Sequence, residues 1–372
     1  MSKLRCVSLF SGAGGLDLGV QRAGFDIVFA SDLEPLCEKA HRANFPDTDF
    51  HWGSIEEVTK KRLNAHLDEP IDLLVGGPPC PPYSKSRFWL RDKPRALDDP
   101  VADATLAGYL KVLKTVKPKA FVFENVPGFS YKIHESALCY LETMAQHLGY
   151  QTNWRVVNAA DYGVPQTRQR FIMIGHLEST IDFPAPTHAN PDSGSLLDQA
   201  LPSWITAGEV LSDIDDPKYD ADYPGHFAGG KHHDLLTQIP EGDNYLFFTE
   251  KRGHPDPQFK WRSRYWSFLL KLSHDRPSWT IQGTRSNNQG PLHWRNRILR
   301  IEELKRLQGF PDDWQLAGTI LQRWRQVGNA VPPGLAHAVA LQIKKELVPT
   351  EAYVEKLKEF PKSNDFSPDI AK

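Results

Sequence analysis

Between residues 4 and 176, short apolar runs alternate with stretches whose apolar positions recur at helical spacing. "RCVSLF", "FDIVFA", "IDLLVG" and "KAFVFE" are compact and β-prone, the texture of strands buried on both faces. "GLDLGVQRAG", "PLCEKAHRAN", "ATLAGYLKVLKTV" and "ESALCYLETMAQHLG" intervene as amphipathic helices, the first closed by Gly24 as a C-cap. "NWRVVNA" and "RFIMIG" supply two more strands. This alternation predicts an α/β fold with a doubly wound, mostly parallel sheet. Such sheets bind ligands beyond the carboxyl ends of their strands, so chemistry is expected in the segments that follow them.

After residue 180 the pattern breaks. "FPAPTHANPDSGS" opens a stretch rich in Pro, Asp and Gly, weakly periodic to about residue 260, which reads as a second, irregular domain. "GTILQRWRQVGNAVPPGLAHAVALQIKKEL", from residue 318, ends in an amphipathic helix that needs a surface to pack on. Residues 350–372 read as a polar, frayed end.

Charge adds a contrast that the net value of −2 hides. Residues 181–250 carry two Lys/Arg against thirteen Asp/Glu, and residues 251–330 carry fifteen against six. A basic block with interleaved aromatics ("WRSRYWSF", "LHWRNRILR") suits a polyanion, although a solvated face balancing the acidic stretch would read the same way. The four cysteines (Cys6, Cys37, Cys80 and Cys139) form no CxxC pair and no His cluster, so neither a disulfide framework nor a metal site is expected. A reducing cytoplasm fits. The first apolar run is too short for a signal peptide, and no uncharged run is long enough to span a bilayer.

Two post-strand segments carry candidate chemistry. "SLFSGAGGLDLG" puts Gly12, Gly14 and Gly15 where a ligand can approach backbone N–H groups at a helix start. The dinucleotide fingerprint would need glycine at position 17, where the chain has Asp17, so NAD is disfavoured. Asp32, after the second strand, could accept from ribose hydroxyls, which leaves an adenosine-containing cofactor plausible. The second segment is "LLVGGPPCPPYSKSR", in which prolines on both sides fix the backbone around Cys80. Alone, it could equally be a rigid loop with an incidental thiol.

The ordered set "FSGAGG", "PPCPPYS", "ENV", "YGVPQTRQR", "RLQGFPDDW" and "QVGNAVPP" resembles the DNA cytosine-C5 methyltransferases over nearly the whole chain. The resemblance implies a Rossmann-like S-adenosylmethionine-dependent domain, residues 1–180 plus 318–372, and a smaller target-recognition domain, residues 181–317. It implies that Cys80 is the nucleophile adding to C6 of a flipped cytosine. A positive environment is expected to enrich its thiolate. Glu124 would contact the base while protonated, and Arg168 and Arg170 would orient the catalytic loop and the base. Phe10, Gly12, Gly14, Gly15, Asp32, Ile55, Pro78, Asn329 and Val331 match the cofactor positions.

Ser84, Lys85 and Arg87, on a loop 82–100 expected to close as a lid, and Arg262 and Arg264 are the candidate DNA contacts. Double-stranded DNA is the implied partner, with a cognate restriction endonuclease possible, no membrane, and a monomer expected. The chain departs from the family at Pro81, where glutamine is usual, at Ser54, where an acid is common, and at Trp279, where proline is frequent. Two other readings remain open at this point: the tRNA-methylating branch of the family, and a catalytically silent DNA-binding relative.

Overall fold

The computed structural model describes residues 3–83, 94, 96–194, 200–220 and 223–348. In chain order, β1 (Leu4–Leu9), α1 (Gly15–Arg22), β2 (Phe25–Asp32), α2 (Pro35–Asn44), β3 (Asp49–Trp52), α3 (Lys60–Leu63), β4 (Leu73–Gly76), α4 (Pro100–Val116) and β5 (Ala120–Asn125) alternate as expected. Then come α5 (Glu135–His147), β6 (Gln151–Asn158), β7 (Gln166–Thr167) and β8 (Gln169–His176). The remaining elements are α6 (Ala207–Leu211), α7 (His233–Gln238), β9 (Ser278–Trp279), α8 (Ile301–Gln308), α9 (Ile320–Asn329) and α10 (Pro333–Leu347).

Seven strands form one sheet in the order β3-β2-β1-β4-β5-β8-β6. The first five are parallel, and β8 pairs antiparallel with both β5 and β6. That reversal has a simple cause. A parallel neighbour needs a crossover of a dozen or more residues, and β6 reaches β8 through residues 159–168, a 3₁₀ turn and β7 with no crossover helix, which suits an antiparallel pair. Apolar side chains fill both faces, with Val75, Val122 and Ile172 under α1 and α10, and Leu74, Phe121 and Phe123 under α4 and α5.

The C-terminal segment returns to this sheet. "AVPP" ends α9 and starts α10, and α10 then lies against α1. Gly15 makes the return possible, because a Cβ there would press into the Val331 carbonyl and come within 3.0 Å of the Phe310 ring. The region after residue 180 is built from short helices and 3₁₀ turns among the described residues.

Some of its charges pair internally. Arg295 pairs with Asp215 at 2.7 Å, Arg306 with Asp312 at 2.6 Å and with Asp213, and Arg252 with Asp243 at 2.6 Å. Buried Arg297 grips Glu303 with two bonds of 2.9 and 2.7 Å. Six of the fifteen Lys and Arg in residues 251–330 are therefore spent on carboxylates among the described residues, and most of the other nine are exposed.

The α1–α10 contact gives a stability test. Replacing a helical glycine by alanine ordinarily gains about 1 kcal/mol from propensity. At Gly19 the new Cβ would lie 2.6 Å from both the Pro333 carbonyl oxygen and the His337 nitrogen, and overpacking costs about 1–3 kcal/mol. The steric term wins: Gly19→Ala is expected to lower the thermal unfolding midpoint. A rise would show that α10 does not sit this close to α1.

Candidate active site

The site starts where β4 ends. Gly76 and Gly77 lead into Pro78, whose carbonyl accepts from Asn125 Nδ2 at 3.2 Å, and Asn125 Oδ1 accepts from Val126 N at 2.9 Å. Tyr83 N donates to the Cys80 carbonyl at 3.0 Å, closing a 3₁₀ turn over Pro81–Tyr83. Cys80 is thus held just beyond a buried strand with its side chain exposed. Pro81 fits this turn because proline's fixed φ suits a helical start.

One strand across, Glu124 is buried near the end of β5. Gly77 leaves room for it, since a Cβ there would lie 2.6 Å from Glu124 Oε2. Arg170, in β8, meets Glu124 Oε1 through Nε at 2.9 Å. Arg168 points elsewhere. It is 1% exposed, and its guanidinium donates to the carbonyls of Ile281 at 2.9 Å and Gly328 at 2.6 Å.

Gln166 extends the same network, accepting from Ile281 N at 3.2 Å and donating to Gln308 Oε1 at 2.6 Å; Gln308 in turn donates to the Ala330 carbonyl at 2.6 Å. Neither glutamine was singled out from sequence, although Gln166 opens the very Q-x-R-x-R motif that gave the arginines. Asn158, which accepts from Arg168 N at 2.9 Å, left no such signal.

Electrostatics correct one expectation. The enclosing protein pushes the Cys80 thiol up and Glu124 adds to that, while Arg170 and Arg168 pull it down. The net direction is upward despite the two cations, although Cys80 still reaches solvent. Burial also raises the Glu124 carboxyl above its usual range against the pull of Arg170 and Arg168, which favours a retained proton. Burial and the neighbouring Arg170 lower Arg168 well below an ordinary guanidinium, with Glu124 opposing.

On the other side of the sheet centre, Asp32 organises the glycine loop. Its carboxylate accepts from Gly12 N and from Glu34 N, both at 2.8 Å, and burial raises it. Gly12 and Gly14 take left-handed φ of 56° and 77°. A Cβ at Gly12 would meet nothing closer than the Phe10 carbonyl at 3.9 Å, so the loop is open at Gly12, while Gly14 packs on Trp314 and Phe45. Asp17, at the position that excludes a dinucleotide fingerprint, is buried with Ser8 and with His41 at 3.1 Å.

Phe10 is half-buried beside the loop, and Leu33 and Trp52 stand exposed beyond Asp32, joined by a 3.0 Å bond from Trp52 Nε1 to the Leu33 carbonyl. Ile55 is buried against Gly108, and Ser54 caps its turn by accepting from Glu56 N at 3.3 Å. Pro78 and Val331 are buried, and Asn329 is exposed at the end of α9. A glycine loop open at Gly12, a half-buried acid and exposed apolar surface together fit an adenosine-bearing cofactor.

Arg262 and Arg264 are exposed, well along the chain from this cluster. Ser84, Lys85, Arg87 and most of the expected lid 82–100 lie outside the described residues.

A thiol, a buried carboxyl group and two arginines converging at strand ends beside a glycine loop are the equipment of a nucleophilic group-transfer enzyme. The profile of the C-5 cytosine-specific DNA methylases matches residues 4–345. The chain is 35% identical to Type II methyltransferase M.SacI of Streptomyces achromogenes, over 93% of this chain and 94% of that one. It is 30% identical to M1.HphI of Haemophilus parahaemolyticus, over 92% and 87%.

Among solved structures, a prophage-encoded protein of E. coli described as a DNA modification methyltransferase superposes with a TM-score of 0.63 at 22% identity, covering 92% of this chain and 99% of that one. The methyltransferase EhMeth of Entamoeba histolytica gives 0.61 at 17%, covering 94% and 100%. Both share the fold. The chain belongs to the C-5 cytosine-specific DNA methylase family.

The raised thiol sets a pH dependence. Alkylation of Cys80 by iodoacetamide, read by peptide mass spectrometry, should keep accelerating above pH 8.5, the ordinary thiol range. A plateau below pH 8 would contradict the enclosure described.

Proposed function

We propose that this chain methylates C5 of a cytosine flipped out of double-stranded DNA, with S-adenosylmethionine as donor and a covalent Cys80–C6 intermediate. The observation carrying this reading is the 2.9 Å Arg170–Glu124 pair on the strands beside the Cys80 segment. C5 of cytosine is a weak nucleophile until sulfur adds to C6. Bond formation from Sγ to C6 moves an electron pair toward N3 and C5, and Glu124 supplies the proton that N3 then needs. Its raised carboxyl suits that duty.

Because the thiol is also raised, ionisation is left to the bound state, where a base fills the cleft and the arginine pair acts without competing water. Arg170 orients Glu124, and Arg168 is a positioning residue. When bound, S-adenosylmethionine supplies the electrophilic methyl that the activated C5 takes. Water takes the C5 proton as Sγ leaves C6 as a thiolate, N3 returns its proton to Glu124, and the thiolate regains a proton from solvent.

Phe10, Gly12, Gly14, Gly15, Asp32, Ile55, Pro78, Asn329 and Val331 would hold the cofactor, with Gly12 open to it and Asp32 facing ribose hydroxyls. A stacked duplex hides the target from a thiol, so the base must be extruded at a cost of a few kcal/mol. Residues 1–180 and 318–372 would form the catalytic domain and 181–317 the recognition domain, with Arg262 and Arg264 on phosphates. The Type II naming of its relatives supports a cognate endonuclease reading the same site. No helix among the described residues is long and apolar enough to cross a membrane. A cytoplasmic location and a monomeric state belong to the same proposal.

DNA substituted with 5-fluorocytosine tests the covalent step, since fluorine at C5 cannot leave as the proton does. With S-adenosylmethionine present, wild type should form a DNA adduct that survives denaturation, and Cys80→Ala should form none. Glu124→Gln, unable to give a proton, should slow adduct formation about 100-fold or more. An adduct in Cys80→Ala would remove Cys80 from the chemistry.

A further inference from the structure

Trp279, which stands where the family often has proline, has a partner. Its ring meets Trp266 edge to face with centroids 4.5 Å apart, yet the two remain 37% and 47% exposed. They come from separate parts of the chain. Trp279 lies in β9, opposite Thr167 of β7, the residue before Arg168. Thr280 Oγ1 donates to the Thr167 carbonyl at 2.7 Å, which fastens this segment to the strand feeding the arginines.

Trp266 sits on an irregular segment held from within. Buried Asn244 donates to its carbonyl at 2.8 Å, and the buried Tyr245 hydroxyl donates to the Arg264 carbonyl at 2.8 Å. The backbones are fixed while the indoles face outward. Internal packing alone does not explain two half-exposed indoles, because burying them would gain more.

The surroundings indicate what covers them. Residues 260–279 carry Lys260, Arg262, Arg264, Lys271 and Arg276 against Asp275 alone. Of these, Lys260, Arg262, Arg264 and Arg276 make no ion pair among the described residues, in contrast to Arg295, Arg297 and Arg306. Trp261 and Tyr265 are exposed on the same stretch, and the Lys251 ammonium lies 4.4 Å from the Trp261 ring centroid. Unpaired cations with outward aromatics are what single-stranded or locally opened nucleic acid requires: charge for phosphates and flat rings for base faces.

We infer that Trp266 and Trp279 form a stacking platform for an unstacked DNA base at the edge of the catalytic cleft. Extruding one nucleotide exposes the faces of its neighbours and of its former partner. An indole pair anchored to the Arg168–Arg170 strand would hold such a face in register with the thiol. The inference rests on the DNA cytosine methyltransferase reading and adds two residues to its substrate contacts.

The test uses a fluorescent duplex carrying one methylation site mapped with the wild-type enzyme, titrated at several salt concentrations. Trp266→Ala and Trp279→Ala should each weaken binding about 5- to 100-fold, the range for loss of one stacked base, and Trp→Phe variants should recover most of it. The slope of log K against log salt should stay at the wild-type value in the tryptophan variants and fall by about 1 in Arg262→Ala. Unfolding midpoints and S-adenosylmethionine binding should be unchanged, and where an alanine variant unfolds, its phenylalanine counterpart and the other tryptophan's alanine variant carry the comparison. Wild-type affinity in the alanine variants, or a loss that phenylalanine does not relieve, would overturn the platform. Failure of the wild type itself to bind the duplex would instead contradict the methyltransferase reading.

Discussion

The site depends on one buried guanidinium. Arg168 has no carboxylate bonded to it; main-chain carbonyls of Ile281 and Gly328 take its protons. Burying a charge this way is expensive unless its hydrogen bonds are made, so the two carbonyl acceptors must be in place for the fold to persist. They belong to segments more than a hundred residues away in sequence. Arg168 therefore makes closure of the catalytic cleft conditional on return of the C-terminal chain. Gln166 and Gln308 reinforce the same joint, and Gly15 lets Val331 approach the glycine loop. Cofactor loop and thiol loop are set by a single tie.

Within that frame, burial and charge oppose each other at Cys80 and Glu124. Enclosure raises both groups, and the arginines lower both. In the proposed mechanism a raised carboxyl suits proton donation to the base, and a raised thiol leaves its ionisation to the substrate-bound state.

The strand–helix alternation through β5 was legible because buried parallel strands are uniformly apolar and their helices amphipathic. The direction of β6 and β8 was not, since apolar texture carries no polarity; only the short connection between them encodes it. Cys80, Glu124 and the arginines stood out by motif, but motif gave Arg168 and Arg170 one joint role, and the structure sends their side chains to different partners. The sign at Cys80 was hidden because sequence shows the cations and not the walls. The basic block read as a possible polyanion surface, and Asp213, Asp215, Glu303 and Asp312 take Arg295, Arg297, Arg300 and Arg306 from it. The aromatic stretch after residue 260 keeps its exposed cations without ion pairs among the described residues, which only the pairing pattern reveals.

The most direct measurement is transfer of labelled methyl from S-adenosylmethionine to unmethylated genomic DNA, with tRNA as a parallel acceptor and Cys80→Ala as the control protein. The expected result is label in DNA alone, recovered as 5-methylcytosine and absent with Cys80→Ala. Label confined to tRNA, or DNA methylation that persists without the thiol, would contradict it.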